Sequence, residues 1–221
     1  MQTWAIVVAA GGGSRFGAPK QFARLGAATV LDRSVAVARE ACAGVVVVLP
    51  DGSEWKAPDG VRTTAGGATR SASVRAGLAL VPGEVDVVVV HDAARPLASA
   101  DLFARVVAAV RAGADAAVPG IPVADTLKRV REHTVVETVS RDDLVTVQTP
   151  QAFRRAALEA AHADEGVGTD DAALVEAAGG TVVVVEGEAR NLKLTRADDL
   201  ALAQALMEDA LSEDHTAGGA R

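Results

Sequence analysis

Valine-rich runs alternate with alanine-rich amphipathic stretches along this 221-residue chain. The runs Trp4–Val8, Val45–Val48 and Val87–Val90 are apolar at every position. Strands that are apolar on both faces are typical of a parallel sheet covered by helices on each side. With 49% hydrophobic residues, the chain can bury one good core. The sequence therefore predicts an α/β fold: a single-domain, doubly wound, mostly parallel sheet whose ligands bind at the carboxyl ends of the strands.

The same patterning places the individual elements. Predicted strands cover residues 4–8, 45–49, 61–65, 86–91, 115–119 and 181–186. Predicted helices cover residues 30–42, 71–81, 99–112, 153–163, 170–178 and 197–211. We expect residues 1–211 to form the domain, and residues 212–221, which are polar and contain glycine, to be a disordered tail.

Residues 121–147 interrupt the alternation. Thr126–Val130 and Val135–Val139 read as two antiparallel strands around a turn, which predicts a protruding β-hairpin arm. A lone two-stranded hairpin is only marginally stable in water. We therefore expect the arm to pack against a second copy of the chain, which makes the protein a homodimer.

A glycine-rich loop with two cations follows the first predicted strand. Gly11, Gly12 and Gly13 allow close approach of a ligand to the backbone, and Arg15 and Lys20 add fixed positive charge. A loop of this composition at the end of a strand favours a polyphosphate ligand. A glycine-rich turn without a ligand is the alternative interpretation.

Spacing excludes two common phosphate loops. The P-loop of nucleotide hydrolases needs Gly-Lys-Ser/Thr entering a helix, whereas Lys20 lies between Pro19 and Gln21. A dinucleotide fingerprint needs G-x-G-x-x-G, and Gly17 comes one residue too late for it. An NAD-dependent reductase is therefore not favoured.

Composition limits the remaining classes of function. The net charge of −7 argues against nucleic-acid binding, and it requires a local cation cluster and a metal ion to hold a triphosphate. Cys42 is the single cysteine, so the chain has no internal disulfide. No apolar run approaches the roughly 18 residues of a membrane span. We expect no membrane association and a cytoplasmic location.

The segment G-G-x-S-R-F-G-x-P-K-Q-F at residues 11–22 resembles the signature loop of sugar-phosphate nucleotidyltransferases. Within that superfamily the chain is most similar to the 2-C-methyl-D-erythritol 4-phosphate cytidylyltransferases. Further blocks match that family in order: Gly66-Gly67-x-x-Arg70-x-x-Ser73-Val74, residues 91–96, 125–129, 148–151, 169–171 and 191–195.

The resemblance implies that an oxygen of methylerythritol phosphate attacks the α-phosphorus of CTP and expels pyrophosphate. Such a reaction needs alignment and charge stabilisation but no protein nucleophile. It also implies Mg²⁺, or another divalent cation, held mainly by the CTP phosphates.

The resemblance also assigns candidate site residues. Arg15 and Lys20 are expected to stabilise the transition state, and Arg141 and Lys193 to position the acceptor phosphate. The expected substrate-binding residues are Ala9, Ala10, Gly11, Gly12, Gly66, Gly67, Arg70, Ser73, Asp92, Arg95, Thr126, Thr149 and Thr169. Asp92 is also a candidate metal ligand.

Several of these residues have structural alternatives. Arg70 could be a solvated residue in the first turn of a helix, and Ser73 a helix hydroxyl without a ligand. Asp92 and Arg95 could form a local ion pair. Lys193 alternates with Leu192 and Leu194 and could lie on the solvent face of a strand.

Two other functions remain open at this point. Cytidylyl transfer to ribitol 5-phosphate would use a related fold and loop. A nucleotide-binding regulator without turnover would use the same loop, although it would not need both Arg15 and Lys20.

Overall fold

The computed structural model of the chain describes residues 2–12, 16–164, 166, 168 and 170–218, with side chains described as far as residue 209. The strands are β1 (Thr3–Val8), β2 (Arg24–Leu25), β3 (Ala28–Thr29), β4 (Gly44–Leu49), β5 (Arg62–Ala65), β6 (Val87–Asp92), β7 (Ala116–Pro122), β8 (Leu127–Arg131), β9 (Thr134–Val139), β10 (Val145–Val147), β11 (Gln151–Arg154) and β12 (Val182–Glu186). The helices are α1 (Val30–Ala41), α2 (Arg70–Leu78), α3 (Ala100–Arg111), α4 (Arg155–His162), α5 (Asp171–Ala177) and α6 (Asp198–Gly218), together with a 3-10 helix at Lys20–Phe22.

A mixed, mostly parallel sheet has the strand order β10-β7-β11-β6-β1-β4-β5, and β12 also pairs with β7. Strand β1 runs parallel to β4 and β6, and β4 runs parallel to β5. The chain passes from β1 to β4 and β5 on one side and then returns to place β6 on the other side. The strand order therefore reverses at β1 and β6, and a ligand crevice is expected outside their carboxyl ends.

Helices pack on both faces of the sheet and create two cores. Side chains of β4 alternate between them, with Val45 and Val47 in one core and Val46 and Val48 in the other. The first core contains Phe103 from α3, and the second is formed against α2, α4 and α5. The predicted α/β doubly wound fold is confirmed.

Side-chain caps fix where two helices begin, and both starts matter for the site. The hydroxyl of Thr69 accepts a hydrogen bond from the amide of Ala72 at 3.1 Å, so α2 begins at Arg70. The carboxylate of Asp170 accepts one from the amide of Ala173 at 2.9 Å, so α5 begins at Asp171. These caps satisfy amide groups that would lack a partner within the helix.

The hairpin arm of β8 and β9 forms its own two-stranded sheet, as predicted. The turn uses Glu132 and His133 at φ values of 45° and 68°. Val130 and Val135 pair directly across the two strands and are 53% and 55% exposed. The described part of the chain therefore leaves an apolar surface of the arm uncovered.

Three predicted elements need correction. The helix expected at 153–163 is preceded by β11, because Gln151–Phe153 are buried between β6 and β7 and hydrogen-bond to both. The helix expected at 71–81 ends at Leu78. Helix α6 continues to Gly218, beyond the predicted helix end at residue 211, and residues 198–217 contain neither proline nor glycine.

Candidate active site

A cleft of about 320 Å³ opens at the carboxyl ends of β1 and β6, where the strand order of the sheet reverses. We call it the main cleft. The predicted site residues that line it are Ala9, Ala10, Gly11, Gly12, Lys20, Gly67, Arg70, Ser73, Asp92 and Lys193. The fold thus brings together residues that are far apart in the sequence.

The glycine loop is held in place by Gln21, which the sequence analysis did not single out. Its side-chain amide is buried and donates to the carbonyl oxygens of Ala9 at 2.9 Å and Gly11 at 3.2 Å. The amide of Ala9 in turn donates to the carbonyl oxygen of Val48 at 2.8 Å. These contacts hold the backbone of Ala9 and Gly11 beside the cleft, and a Cβ atom on Gly11 or Gly12 would meet no heavy atom within 4 Å.

Gly66 and Gly67 form a wall beside the loop in which close packing requires glycine. A Cβ atom on Gly66 would lie 2.3 Å from the Cβ of Ala10, and one on Gly67 would lie 2.5 Å from the Cβ of Ala72. The hydroxyl of Ser73 accepts a hydrogen bond from the amide of Gly67 at 3.2 Å. Ser73 therefore supports this wall as well as lining the cleft.

Lys20 and Lys193 bring positive charge to the main cleft. The ammonium group of Lys20 donates to the carbonyl oxygen of Leu194 at 2.7 Å. That of Lys193 lies 2.7 Å from Oδ2 of Asp92. Lys193 lies in a segment without regular secondary structure, where Leu194 is buried and Lys193 faces the cleft. The alternative of a strand facing solvent is therefore wrong.

Asp92 stands at the end of β6 with both carboxylate oxygens engaged. Oδ1 lies 3.2 Å from Nε of Arg70, and Oδ2 contacts Lys193. Burial alone would raise the pKa of this carboxyl, but Arg70, Lys193 and Arg95 outweigh it and hold the pKa well below its usual value of 3.8. Asp92 is therefore ionised at neutral pH.

A smaller cleft of about 160 Å³ adjoins the main cleft and shares Arg70, Asp92 and Lys193 with it. Its other polar lining residues include a second carboxylate: they are Arg95, Gln148, Thr149, Gln151 and Asp170. The hydroxyl of Thr149 accepts a hydrogen bond from the amide of Asp92 at 3.0 Å.

Arg95 is buried beside the smaller cleft, and its position bears on the predicted Asp92–Arg95 pair. Its guanidinium donates to the carbonyl oxygens of Asn191 at 2.8 Å and Val147 at 3.3 Å. Burial lowers the pKa of this guanidinium, and Asp92 opposes that effect. Within the described part of the chain, the ion pairs of Asp92 are with Arg70 and Lys193, not with Arg95.

The residues near the clefts suit an anionic ligand better than nucleophilic catalysis. His91 is fully buried behind the cleft, where desolvation lowers its pKa to about 4. Burial raises the pKa of the Cys42 thiol to about 12, as befits a packed thiol. The charged side chains that line the two clefts, among the described residues, are Lys20, Arg70, Arg95 and Lys193 together with Asp92 and Asp170.

Comparison with known proteins agrees with this geometry. Residues 3–209 match the family model described as 2-C-methyl-D-erythritol 4-phosphate cytidylyltransferase. The chain belongs to that family. The 2-C-methyl-D-erythritol 4-phosphate cytidylyltransferase of Rhodococcus opacus is 44% identical over 93% of this chain and 95% of its own length.

Other relatives of the cytidylyltransferase family are longer. The bifunctional enzyme IspD/IspF of Clavibacter michiganensis is 48% identical over 97% of this chain but only 56% of its own length, so the chain spans little more than half of it. Among solved structures, the cytidylyltransferase of Thermus thermophilus is 40% identical, with a TM-score of 0.83 over 94% of this chain and all of that chain.

Some residues that resemble cytidylyltransferase positions lie elsewhere or are not described. Thr126 and Arg141 belong to the arm region and line neither cleft, and the guanidinium of Arg141 donates to the carbonyl oxygen of Ala124. Arg15 and Thr169 lie outside the described residues. Their proposed roles stay predictions.

The residues of the main cleft fit a metal that arrives with a triphosphate. Asp92 is the one carboxylate among its described lining residues. The described residues hold no group of three or more His, Cys, Asp or Glu side chains suited to a metal. Because Mg²⁺ prefers six oxygen ligands, phosphate oxygens and water would have to supply most of them.

No helix in the described ranges combines the length and the apolar character that crossing a bilayer requires.

Proposed function

We propose that this chain transfers the cytidylyl group of CTP to 2-C-methyl-D-erythritol 4-phosphate, forming 4-diphosphocytidyl-2-C-methyl-D-erythritol and pyrophosphate. One observation carries the proposal: Gly11, Gly12, two lysines and Asp92 converge on one cleft at the point where the strand order of the sheet reverses. The chain's membership of the cytidylyltransferase family supports the same reaction.

CTP would occupy the main cleft. Gly67, Ser73 and Ala10 line this cleft, and the pyrimidine would lie against the wall that they form. The triphosphate would lie along the glycine loop near Lys20, where backbone amides and an ammonium group favour negative charge.

The acceptor phosphate would enter the smaller cleft. Arg95 can supply a guanidinium there and Lys193 an ammonium group. Lys193 already contacts Asp92 at 2.7 Å, so the cation lies at the boundary of the two clefts. That location suits a group that holds the acceptor beside the α-phosphate.

The reaction then requires alignment and charge stabilisation. A phosphate oxygen of the acceptor forms a bond to the α-phosphorus, and the bond from that phosphorus to the bridging oxygen of pyrophosphate breaks. Lys20 would stabilise the negative charge on the phosphoryl oxygens in the transition state. No covalent intermediate with the protein is needed.

Mg²⁺ would neutralise charge on the triphosphate oxygens, with Asp92 as the candidate protein ligand. We expect excess chelator to abolish pyrophosphate release and added Mg²⁺ to restore it. Full activity in chelator would contradict the metal requirement.

We also propose a homodimer in which the arm of one protomer completes the neighbour's acceptor site. The apolar pair of Val130 and Val135 is exposed, as expected of a surface that another chain covers. Thr126 and Arg141 lie away from both clefts of their own protomer but match acceptor-binding positions of the family. A partner's arm would bring these side chains to the site.

Mixing two inactive variants tests the shared site. Lys20→Ala removes a cation from the main cleft, and Arg141→Ala removes one from the arm. If sites are shared, a mixed dimer carries one site with both changes and one with neither, so activity should reappear after subunit exchange. A monomer by light scattering, or no recovery after verified exchange, would contradict the proposal.

An acceptor comparison tests the reaction itself. We expect pyrophosphate release from CTP and Mg²⁺ with methylerythritol phosphate and much less with ribitol 5-phosphate, the acceptor that the family match does not favour. Faster release with ribitol 5-phosphate would reassign the acceptor. Nucleotide binding without turnover would favour a regulator. The cytoplasm, where CTP is available, is the compartment we propose.

A further inference from the structure

A continuous series of charged and polar contacts runs from the cleft into the protein interior. From Lys193 and Asp92 it continues through Arg70, whose Nη1 lies 2.6 Å from Oδ2 of Asp171. Oδ1 of Asp171 lies 3.0 Å from Nε2 of His162. The series therefore joins a cleft carboxylate to a buried histidine that the proposed reaction does not use.

The far end of this series is shielded from water. Asp171 is fully buried and His162 is 4% exposed. A buried carboxylate without partners would be strongly destabilising, so two donors on Asp171 satisfy a real requirement. His162 lies in the last turn of α4 and Asp171 in the first turn of α5, so the contact also links two helices.

Arg70 lines both clefts, but the described contacts of its guanidinium are with two carboxylates of the protein. Nε contacts Asp92, Nη1 contacts Asp171, and Nη2 is buried with no hydrogen-bond partner among the described residues. Asp92 and Asp171 raise the pKa of Arg70 against the opposing effect of its burial. A guanidinium held in this way fixes the carboxylate of Asp92 more directly than it contacts a substrate.

Asp92 needs such support because it has competing partners. It contacts Lys193 at the boundary of the two clefts, and a substrate or metal would add a further attraction. Asp171 does not line either cleft and contacts Arg70 from the buried interior.

We propose that His162, Asp171 and Arg70 form a support that positions the carboxylate of Asp92 for the reaction. The inference rests on the proposed function of the cleft. Arg70 acts on Asp92, Asp171 holds Arg70, and His162 holds Asp171 by donating from Nε2. All three are positioning residues.

Asp171→Asn tests the middle of the support, because it keeps the shape of the side chain and removes its charge. We expect kcat/KM to fall at least about 10-fold, the scale for losing a hydrogen bond to a charged group. Asp115→Asn is the matched control: it removes the charge of an aspartate that contacts Arg154 at 3.4 Å and lines neither cleft. The control should stay within about 2-fold of the unsubstituted protein.

A double substitution separates positioning from general structure. If Asp171 acts through Asp92, then Asp171→Asn should change kcat/KM less than about 2-fold when Asp92→Asn is already present, because coupled residues are not additive. The same loss in both backgrounds would show that Asp171 acts independently of Asp92, and would overturn the inference.

His162 offers a milder pair of variants. Glutamine keeps an N–H donor for Asp171, whereas leucine removes it. We expect His162→Gln to retain activity within about 3-fold and His162→Leu to lose at least about 10-fold, with folding of both confirmed by circular dichroism. Equal losses in the two variants would contradict a role for the donor.

A crystal structure of Asp171→Asn gives a readout that needs no activity. We expect the contact between Arg70 and Asp92, 3.2 Å long here, to be lost while β6 and α2 superpose on the unsubstituted protein. A retained contact would overturn the inference. If Asp171→Asn does not fold, the same comparison on His162→Leu decides. If the unsubstituted protein does not transfer cytidylyl groups, the proposed function is wrong. The crystal structures then decide alone whether Asp171 and His162 position Asp92 through Arg70.

Discussion

Lys20 is held at the main cleft by a 2.7 Å hydrogen bond from its ammonium group to the carbonyl oxygen of Leu194. A cation fixed in this way can stabilise charge that develops on a phosphoryl oxygen without reorganising. We therefore expect Lys20→Ala to lower kcat at least about 100-fold in the pyrophosphate assay.

Lys56→Ala is the control for that substitution, because Lys56 is exposed and lines neither cleft. Near-normal turnover of a folded Lys20→Ala protein would remove Lys20 from the catalytic residues. The corresponding loss for Arg15→Ala stays a prediction from the sequence.

His91 gives a pH dependence of stability. Its pKa is about 4 in the fold, because of burial, against about 6.5 in an unfolded chain. The unfolded chain binds more protons between these values, so the free energy of unfolding is highest above pH 6.5 and falls as the pH drops toward 4. We expect His91→Gln to remove about 3 kcal/mol of this change.

Denaturant unfolding between pH 4 and 7 measures the His91 effect. His133→Asn is the control, because His133 lies in the exposed turn of the arm with a φ of 68° that asparagine tolerates. An unchanged pH slope in His91→Gln would contradict a neutral buried His91.

Residue types and spacing predicted most of the cleft lining but not its support. Lys20 and Asp92 could be predicted because charge beside glycines and at a strand end carries a local signal, whereas the prediction for Lys193 depended on the family resemblance. Gln21 and His162 carry none, since each acts through a contact made only in the folded chain.

The hairpin arm carries the exposed valines that we propose contact the second protomer. Val135→Asp would place a charge among the exposed valines, so we expect it to dissociate the proposed dimer and lower activity. Glu137→Gln, one rung further along β9, is the control and should leave the dimer intact. Light scattering and pyrophosphate release give the two readouts, and an active Val135→Asp dimer would contradict the proposed interface.

The strands were predicted correctly where burial on both faces of the sheet requires a continuous run of valines. Strands β4 and β6 follow their predicted ranges closely. Strand β11 was missed because its four residues lead directly into α4, so the local pattern resembles one continuous helix. Its position between β6 and β7 depends on tertiary pairing that no local window contains.

At the scale of the whole molecule, an acidic chain concentrates cations at one place. The net charge is −7, yet Lys20, Arg70 and Lys193 line the main cleft with Asp92 as its one described carboxylate. This local excess of positive charge can attract a triphosphate that the overall field repels. The reversal of the sheet at β1 and β6 determines where that excess lies.

The proposed reaction transfers the cytidylyl group of CTP, with its α-phosphorus, to a phosphorylated acceptor. Labels on two different phosphates of CTP test this reaction most directly. CTP labelled at the α-phosphate and CTP labelled at the γ-phosphate are each incubated with the protein, Mg²⁺ and methylerythritol phosphate. The account predicts that the α label appears in the cytidyl diphosphate product and the γ label in pyrophosphate. A γ label in inorganic phosphate, or no transfer of the α label by folded protein, would contradict it.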